Sequence, residues 1–237
     1  MMRVLLVDDE RLARAELRRL LAAHPQVVIA GEAASAAEAA QQIALLQPDL
    51  LLLDVQMPGG SGFDLLQALD STPEVIFTTA FDHYALQAFE VNALDYLQKP
   101  IQAVRLAGAL ERAAFRLQLA SGMPRARPAP QKLFIKDGER CWFVDYGEIR
   151  LFESEGNYTR VYFGAHRPLM LRSLAQLEQK LAPQQFFRVS RQHIVKLDAV
   201  QRVTPNQAGG LELELGDGLR VEVSRRRAAL FRSQTAL

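Results

Sequence analysis

Three carboxylates, a hydroxyl and an ammonium stand at defined places in the first hundred residues: Asp8 and Asp9, Asp54, Thr79, and Lys99 followed by Pro100. Each falls at the end of a short apolar run that reads as a parallel strand. Open α/β sheets place their chemistry in the crevice beyond the carboxyl ends of their strands, so these side chains are expected to converge. Carboxylates in close quarters repel one another unless a cation lies between them, and hard oxygen ligands suit Mg²⁺. The chemistry open to this set is acceptance of a phosphoryl group on Asp54. Metal and Lys99 ammonium would neutralise charge on the transferring oxygens. Asp8 and Asp9 would hold the metal, one directly and the other through water, with the Gln56 backbone carbonyl completing the shell. The Thr79 hydroxyl would hydrogen-bond a phosphoryl oxygen. Singly each piece is ordinary: Asp-Asp-Glu often opens a helix, a strand-ending Asp often forms a turn, and Lys-Pro is a common dipeptide. Four strand ends in the required order are not.

The elements that must position these residues alternate along the first half. Strands are expected at 3–8, 27–33, 49–54, 74–79 and 93–97. The run Asp49–Asp54 is unbroken and apolar, as for a central strand covered on both faces. Helices are expected over 10–23, 36–46, 63–69, 82–91 and 102–119, the second opened by the capping box Ser35–Glu38. Five such units predict a doubly wound five-stranded parallel sheet over residues 1–120. Residues 121–131, with three prolines, one glycine and no apolar period, read as an extended linker.

Residues 132–237 change character. Short strands are expected at 133–135, 141–144, 149–153, 158–163, 169–172, 200–204, 211–215 and 219–223, separated by glycine turns. Ser173–Gln176 is a second capping box, opening a short helix to about 181. Ser224 caps a terminal helix beginning Arg225-Arg226-Arg227. This half reads as a mostly-β domain.

Composition sets outer bounds. The 237 residues are 49% apolar and 23% charged, ordinary for a globular protein. No apolar run approaches the ~20 residues of a membrane helix, and a strand at Val4–Val7 leaves no room for a signal peptide. The single Cys141 excludes an internal disulfide and a zinc motif, which fits a reducing cytoplasm. Net charge is +1, but residues 1–120 carry nine Lys/Arg against fifteen Asp/Glu and the remainder nineteen against twelve. An acidic half joined to a basic half points to different partners.

The basic half holds two clusters, Phe186–His193 with Lys196 beyond, and Val223–Arg227. Arginine forks engage phosphates and guanine edges. An arginine run at a helix start opposes the helix dipole, so it needs another reason, and an anion is one. His193 lacks the partners of a metal ligand and reads as a packed or surface histidine.

Residues 2–120 resemble the receiver domain of two-component response regulators through Val7–Glu10, Asp54–Gly59, Thr79-Ala80 and Asp95–Pro100. Residues 131–237 resemble the LytTR DNA-binding domain through Glu153–Tyr158, Leu171–Leu174, Phe187–Arg191 and Val223–Arg226. Together the chain resembles the LytR/AlgR family of response regulators. The resemblance implies that Asp54 is phosphorylated by a sensor histidine kinase, that Asp9, Asp54 and Gln56 ligate Mg²⁺, and that Thr79 and an inward-rotating Tyr96 form the switch. It implies signalling around the fourth helix and fifth strand, homodimerisation on phosphorylation, and transcription control from paired direct repeats. Receiver chemistry would be limited to its own phosphorylation and dephosphorylation. His166, Arg167, Ser190, Arg191, Lys196, Arg225 and Arg226 are the expected DNA contacts. The family has other residues where Ser190, Gln192 and Lys196 stand, which bears on base preference. A haloacid-dehalogenase-like phosphohydrolase also uses an aspartyl phosphate, but needs an acid where Gln56 stands. An RNA- or protein-binding output is the other alternative; Phe186-Phe187 read as core rather than as stacking platforms for bases.

Overall fold

The computed structural model describes residues 1–80, 93–121, 132–138, 140–207 and 209–235. The helix expected over 82–91 and nearly all of the linker lie outside them. The chain divides into two compact units, Met1–Tyr146 and Gly147–Leu237.

In the first unit, β1 (Met2–Val7), β2 (Val27–Ala33), β3 (Leu50–Asp54), β4 (Glu74–Thr79) and β5 (Asp95–Gln98) form one parallel sheet ordered β2-β1-β3-β4-β5. The strand period of two assigns side chains to opposite faces. Val4, Leu6, Leu50, Leu52 and Ile76 point to one core, shared with α1 (Arg11–Leu21) and α4 (Ala103–Ser121). Leu5, Val7, Leu51, Leu53, Val75 and Phe77 point to the other, shared with α2 (Ala36–Leu46) and α3 (Gly62–Ala68). Both faces are covered, which explains the unbroken apolar run of β3. At α2 the Ser35 hydroxyl accepts from the Glu38 amide at 3.2 Å, but Glu38 reaches one residue further back, to the Ala34 amide at 2.8 Å. The complete reciprocal box in this unit is at α3, between Ser61 and Asp64.

The compact units do not divide at the proline-rich segment. β6 (Lys132–Asp137) and β7 (Arg140–Asp145) pair as an antiparallel hairpin within the first unit. Phe134, Cys141 and Phe143 enter the same core as α2 and α3. Phe134 stacks on Phe63 at a centroid distance of 6.2 Å, and Lys136 lies over the Phe63 ring. The Lys132 carbonyl accepts from both the amide and the hydroxyl of Thr72, at 3.0 and 3.2 Å, while its ammonium pairs with Glu74. The Tyr146 hydroxyl donates to the Asp70 carbonyl at 3.0 Å.

In the second unit, β8 (Ile149–Glu155), β9 (Tyr158–Phe163), β10 (Leu169–Met170), β11 (Phe186–Arg188) and β12 (His193–Lys196) form an antiparallel sheet ordered β10-β9-β8-β12-β11. β13 (Val200–Pro205), β14 (Leu211–Leu215) and β15 (Arg220–Val223) form a second sheet. Both sheets share a core with α6 (Arg225–Thr235), centred on Leu151, Phe187, Val195, Leu213, Val221 and Phe231. The short α5 (Leu174–Glu178) carries the expected capping box at Ser173 and Gln176. β11 and β12 are strands within the basic cluster Phe186–Lys196, where the sequence pattern predicts none. No helix among the described residues is long and apolar enough to cross a membrane.

Phe134 is 2% exposed and contributes to the core of the first unit, not to a core of its own hairpin. Phe134→Ala is therefore expected to lower the stability of the first unit by about 3–5 kcal/mol. Urea unfolding followed by hydrogen exchange of β3 and β4 reads this; a loss under about 1 kcal/mol would mean the hairpin is peripheral to that unit.

Candidate phosphoacceptor site and candidate nucleic-acid interface

The parallel sheet brings the five singled-out residues to one edge. Asp8 follows β1, Asp54 ends β3, Thr79 ends β4 and Lys99 follows β5. Asp8, Asp54 and Thr79 are buried and Asp9 is half-buried. Lys99 Nζ lies 2.8 Å from Asp8 Oδ2 and 3.1 Å from Asp54 Oδ2. Carboxylate oxygens of Asp8, Asp9 and Asp54 all lie within 4.8 Å of one another. Two unit charges at 4.8 Å repel by about 3.5 kcal/mol at an effective dielectric of about 20. One ammonium cannot balance three such groups.

Burial accordingly pushes the Asp54 carboxyl up; its bond to Lys99 pulls it down, the Asp8 charge pushes it up again, and the result is raised. Burial works against the Lys99 charge, but its bonds to Asp8 and Asp54 more than offset this and its pKa is raised. The donor set fits a hard divalent cation: three carboxylates within reach of one point, a residual negative charge, and oxygen ligands only. A cleft of about 630 Å³ opens over it, lined by Asp9, Asp54, Gln56, Thr79 and Lys99 among others. The Gln56 amide faces Asp54 Oδ1 at 3.5 Å, and the Lys99–Pro100 peptide is cis.

Two supports went unread in the sequence. Arg14 on α1 donates to the carbonyls of Asp8 and Asp9, at 2.7 and 3.4 Å, and is itself held by Glu32 at 3.1 Å. Gly62 lies where a Cβ would stand 2.4 Å from the Asp54 carbonyl oxygen, so only glycine lets α3 start this close to the acceptor. Tyr96 on β5 stacks on Phe77 at 5.4 Å with a 15° interplanar angle. Its hydroxyl is buried without a hydrogen-bond partner, and burial raises its pKa.

The basic residues of the second unit separate into two groups. Ser190 and Arg191 sit in the β11–β12 turn, beside Ser154, whose amide donates to the Gln192 carbonyl at 2.8 Å. The start of α6 adjoins the same turn, because the Ser224 amide donates to the Val189 carbonyl at 3.3 Å. Arg191, Arg225 and Arg226 are exposed. His166 and Arg167, also exposed, lie after β9, whose last residue Phe163 pairs with Ile149 at the far end of β8. Ser154 and Ile149 are five steps apart on β8, so the two places are offset by roughly 16 Å along the strand direction at ~3.3 Å per residue. Lys196 lies toward the His166 end, its ammonium on the Gly147 carbonyl. Phe186 and Phe187 are buried, as expected of core and not of base-stacking platforms.

The turn is held by members of the two basic clusters themselves, together with Glu178. Arg188 donates to the carbonyls of Ser190 and Arg191, at 3.2 and 3.1 Å, and pairs with Glu178 of α5 at 2.7 Å. Glu178 also pairs with Arg227 of α6 at 3.4 Å, and Arg227 lies over the Phe187 ring. His193 is half-buried rather than free on the surface. Its Nδ1 lies 3.2 Å from Ser190 Oγ and its Nε2 3.4 Å from Glu153. Glu153 also accepts from the Tyr162 hydroxyl, which burial and this carboxylate push up to about 12.

The comparisons with known proteins agree with both halves. The Response regulator receiver domain family matches residues 4–111, and the LytTr DNA-binding domain family matches residues 139–236. An uncharacterized response regulatory protein of Vibrio cholerae is 37% identical over 228 residues, 95% of each chain. The sensory transduction protein LytT of Enterococcus faecalis is 35% identical over 241 residues and spans both chains completely. The transcriptional regulatory protein BtsR of Escherichia coli is 36% identical over 236 residues, 95% of each chain.

Arg188 spends its guanidinium on the turn rather than on solvent. Arg188→Lys keeps the charge but loses the fork, so specific-site affinity is expected to fall by about 1–2 kcal/mol while nonspecific DNA binding and its salt slope stay unchanged. Fluorescence anisotropy on specific and scrambled duplexes across a salt series reads this. Equal losses on both duplexes would make Arg188 a phosphate contact instead.

Proposed function

Because the chain belongs to the response regulators that carry a LytTR DNA-binding domain, we propose that it is the phosphorylated output component of a cytoplasmic two-component system. A sensor histidine kinase supplies the phosphoryl group, Asp54 accepts it, and the LytTR unit then binds duplex DNA to control transcription. The observation that carries this reading is the convergence of Asp8, Asp9, Asp54 and Lys99 at one sheet edge.

An Asp54 carboxylate oxygen forms the new P–O bond as the P–N bond to the donor imidazole breaks and its electron pair stays with the imidazole. Lys99 bridges Asp8 and Asp54 and lies where charge collects on the transferring oxygens. Asp8, Asp9, Asp54 and the Gln56 carbonyl are the groups to hold Mg²⁺, which when bound neutralises phosphoryl charge. Thr79 lines the same cleft and takes a phosphoryl oxygen by hydrogen bond. Thr79 and Tyr96 then form the switch, and the phosphorylated chain pairs as a homodimer.

On DNA, the Ser190–Arg191 turn and the α6 start with Arg225 and Arg226 act at one end of the sheet. His166 and Arg167 act at the other, with Lys196 toward their side. An offset of roughly 16 Å is about half a turn of B-DNA, so the two places meet the duplex at different base steps. Two LytTR units on paired direct repeats gain affinity from effective concentration.

Asp54→Asn removes the nucleophile while keeping the shape, and should abolish phosphoryl incorporation from a cognate kinase. Undiminished labelling at equal stoichiometry would overturn the acceptor assignment. Arg191→Ala should cost ~1–3 kcal/mol at a specific site recovered from genomic DNA, with a smaller effect on unrelated duplex. An equal loss on every sequence would demote Arg191 to a backbone contact, and the absence of any enriched site would remove the DNA-reading assignment.

A further inference from the structure

The first unit ends in an element that a receiver sheet does not need for its own chemistry. The β6–β7 hairpin occupies the sheet face carrying Phe77 and Tyr96, and the second unit begins at Gly147, two residues after β7. From Tyr96 on β5 to this hairpin runs an unbroken series of ring contacts. Tyr96 stacks on Phe77 at 5.4 Å; Phe77 meets Phe63 at 4.9 Å; Phe63 stacks on Phe134 at 6.2 Å; Phe134 meets Phe143 at 5.0 Å. Along the chain, the series adjoins the acceptor site at two points. Phe77 shares its strand face with Thr79, two residues on. Phe63 follows Gly62, which abuts the Asp54 backbone.

We propose that docking of the β6–β7 hairpin is coupled to phosphorylation of Asp54, so that the hairpin, whose second strand already lies within the matched DNA-binding family segment, carries the receiver's state to the residue where the second compact unit begins. This rests on the phosphoacceptor reading above and adds to it the path by which the signal leaves the site. The physical basis is close packing: rings in contact lose much of their attraction when displaced by less than an ångström. A phosphoryl oxygen drawing in the Thr79 hydroxyl shifts the end of β4, and Phe77 is on that strand. The ring series passes the shift to Phe63 and Phe134. The polar contacts of Thr72, Asp70 and Glu74 with Lys132 and Tyr146 fix the hairpin's rim, leaving the apolar centre as the part that responds. Coupling of this kind is reciprocal, so the hairpin also biases the acceptor site.

The chain holds its own reporters. Cys141 is the sole cysteine and Trp142 the sole tryptophan, and they are neighbours on β7. Cys141 is 0% exposed, and burial pushes its thiol up to about 11, so it is shielded while the hairpin is docked. The test uses the full chain with Mg²⁺, with and without beryllofluoride as the phosphoryl mimic. Occupancy of the acceptor is followed by fluorine NMR, and the alkylation rate of Cys141 and the emission of Trp142 are read in parallel.

The expected result is a change of about five-fold or more in the alkylation rate on saturation, the low end of ordinary allosteric coupling. It should be accompanied by a shift in Trp142 emission and absent in Asp54→Asn. Phe134→Ala should change the beryllofluoride affinity by a comparable factor. A bound fluorine signal with an alkylation rate constant to within about two-fold, and unchanged Trp142 emission, would overturn the coupling and leave the acceptor assignment standing. No bound fluorine signal at all would overturn the acceptor assignment itself, and the coupling with it.

Discussion

Three carboxylates crowd one ammonium at the edge of the parallel sheet, and the first unit is built to hold that imbalance in place. Repulsion of this size would scatter flexible side chains. Here each acid is fixed at a strand end or within two residues of it, and the strands are locked by cores on both faces. Arg14 ties the backbone of Asp8 and Asp9 to α1, and the Asp8 carboxylate accepts from the Glu10 amide at 2.9 Å. Gly62 lets α3 begin against Asp54. Burial, with a smaller push from the Asp8 charge, leaves the Asp54 carboxyl raised despite Lys99. A site held in this way gains most from a group that brings positive charge or spreads the negative charge over new oxygens, and a metal and a phosphoryl group do these respectively.

The convergence of these residues was legible in the sequence because a parallel strand buried on both faces leaves a plain signature, an apolar run with a polar residue at its end. Asp54 after Leu50–Leu53 and Thr79 after Val75–Phe77 needed no tertiary information. Boundaries moved by one to three residues, and the Ser35 box shifted its back-bond to Ala34, because caps depend on local geometry that composition does not report. Arg14 was invisible for another reason. An arginine on an amphipathic helix reads as surface, and only the fold brings its fork to the carbonyls of Asp8 and Asp9. The hairpin posed the same problem on a larger scale. Its strands were read, but alternation says only that one face is buried, not which core receives it.

In the second unit the sequence pointed to arginines and the structure divides them by task. Arg188 and Arg227 belong to the scaffold, joined through Glu178 and packed by Phe187. Arg191, Arg225 and Arg226 face solvent around the turn that this scaffold fixes. The strands β11 and β12 were missed because a basic, serine-containing stretch resembles a loop. Their pairing is set by Phe187 and Val195 on the core side, a pattern of only three or four residues. The arginine run that opposes the α6 dipole is partly explained within the fold, since Arg227 finds its anion in Glu178. That leaves the exposed pair Arg225 and Arg226 as the ones whose placement calls for an external anion.

The charge asymmetry also changes meaning once the units are drawn at Tyr146. Residues 147–237 carry fourteen Lys/Arg against nine Asp/Glu, a smaller excess than the sequence halves implied, since part of the basic surplus of residues 121–237 lies before the second unit begins. Net charge of this size steers association only weakly at physiological salt. Distribution matters more. Acidic partners stand beside Arg160, Arg188, Arg202, Arg220 and Arg227. Each of these cations is offset where it stands, so its contribution to a distant phosphate is reduced. Arg167, Arg191, Arg225 and Arg226 are exposed at the two ends of the sheet region, where the fold has spent hydrogen bonds on fixing the backbone instead of on neutralising the side chain. A modest net charge can thus yield a defined footprint: ion pairs offset part of the positive charge, and the exposed Arg167, Arg191, Arg225 and Arg226 add theirs at fixed places.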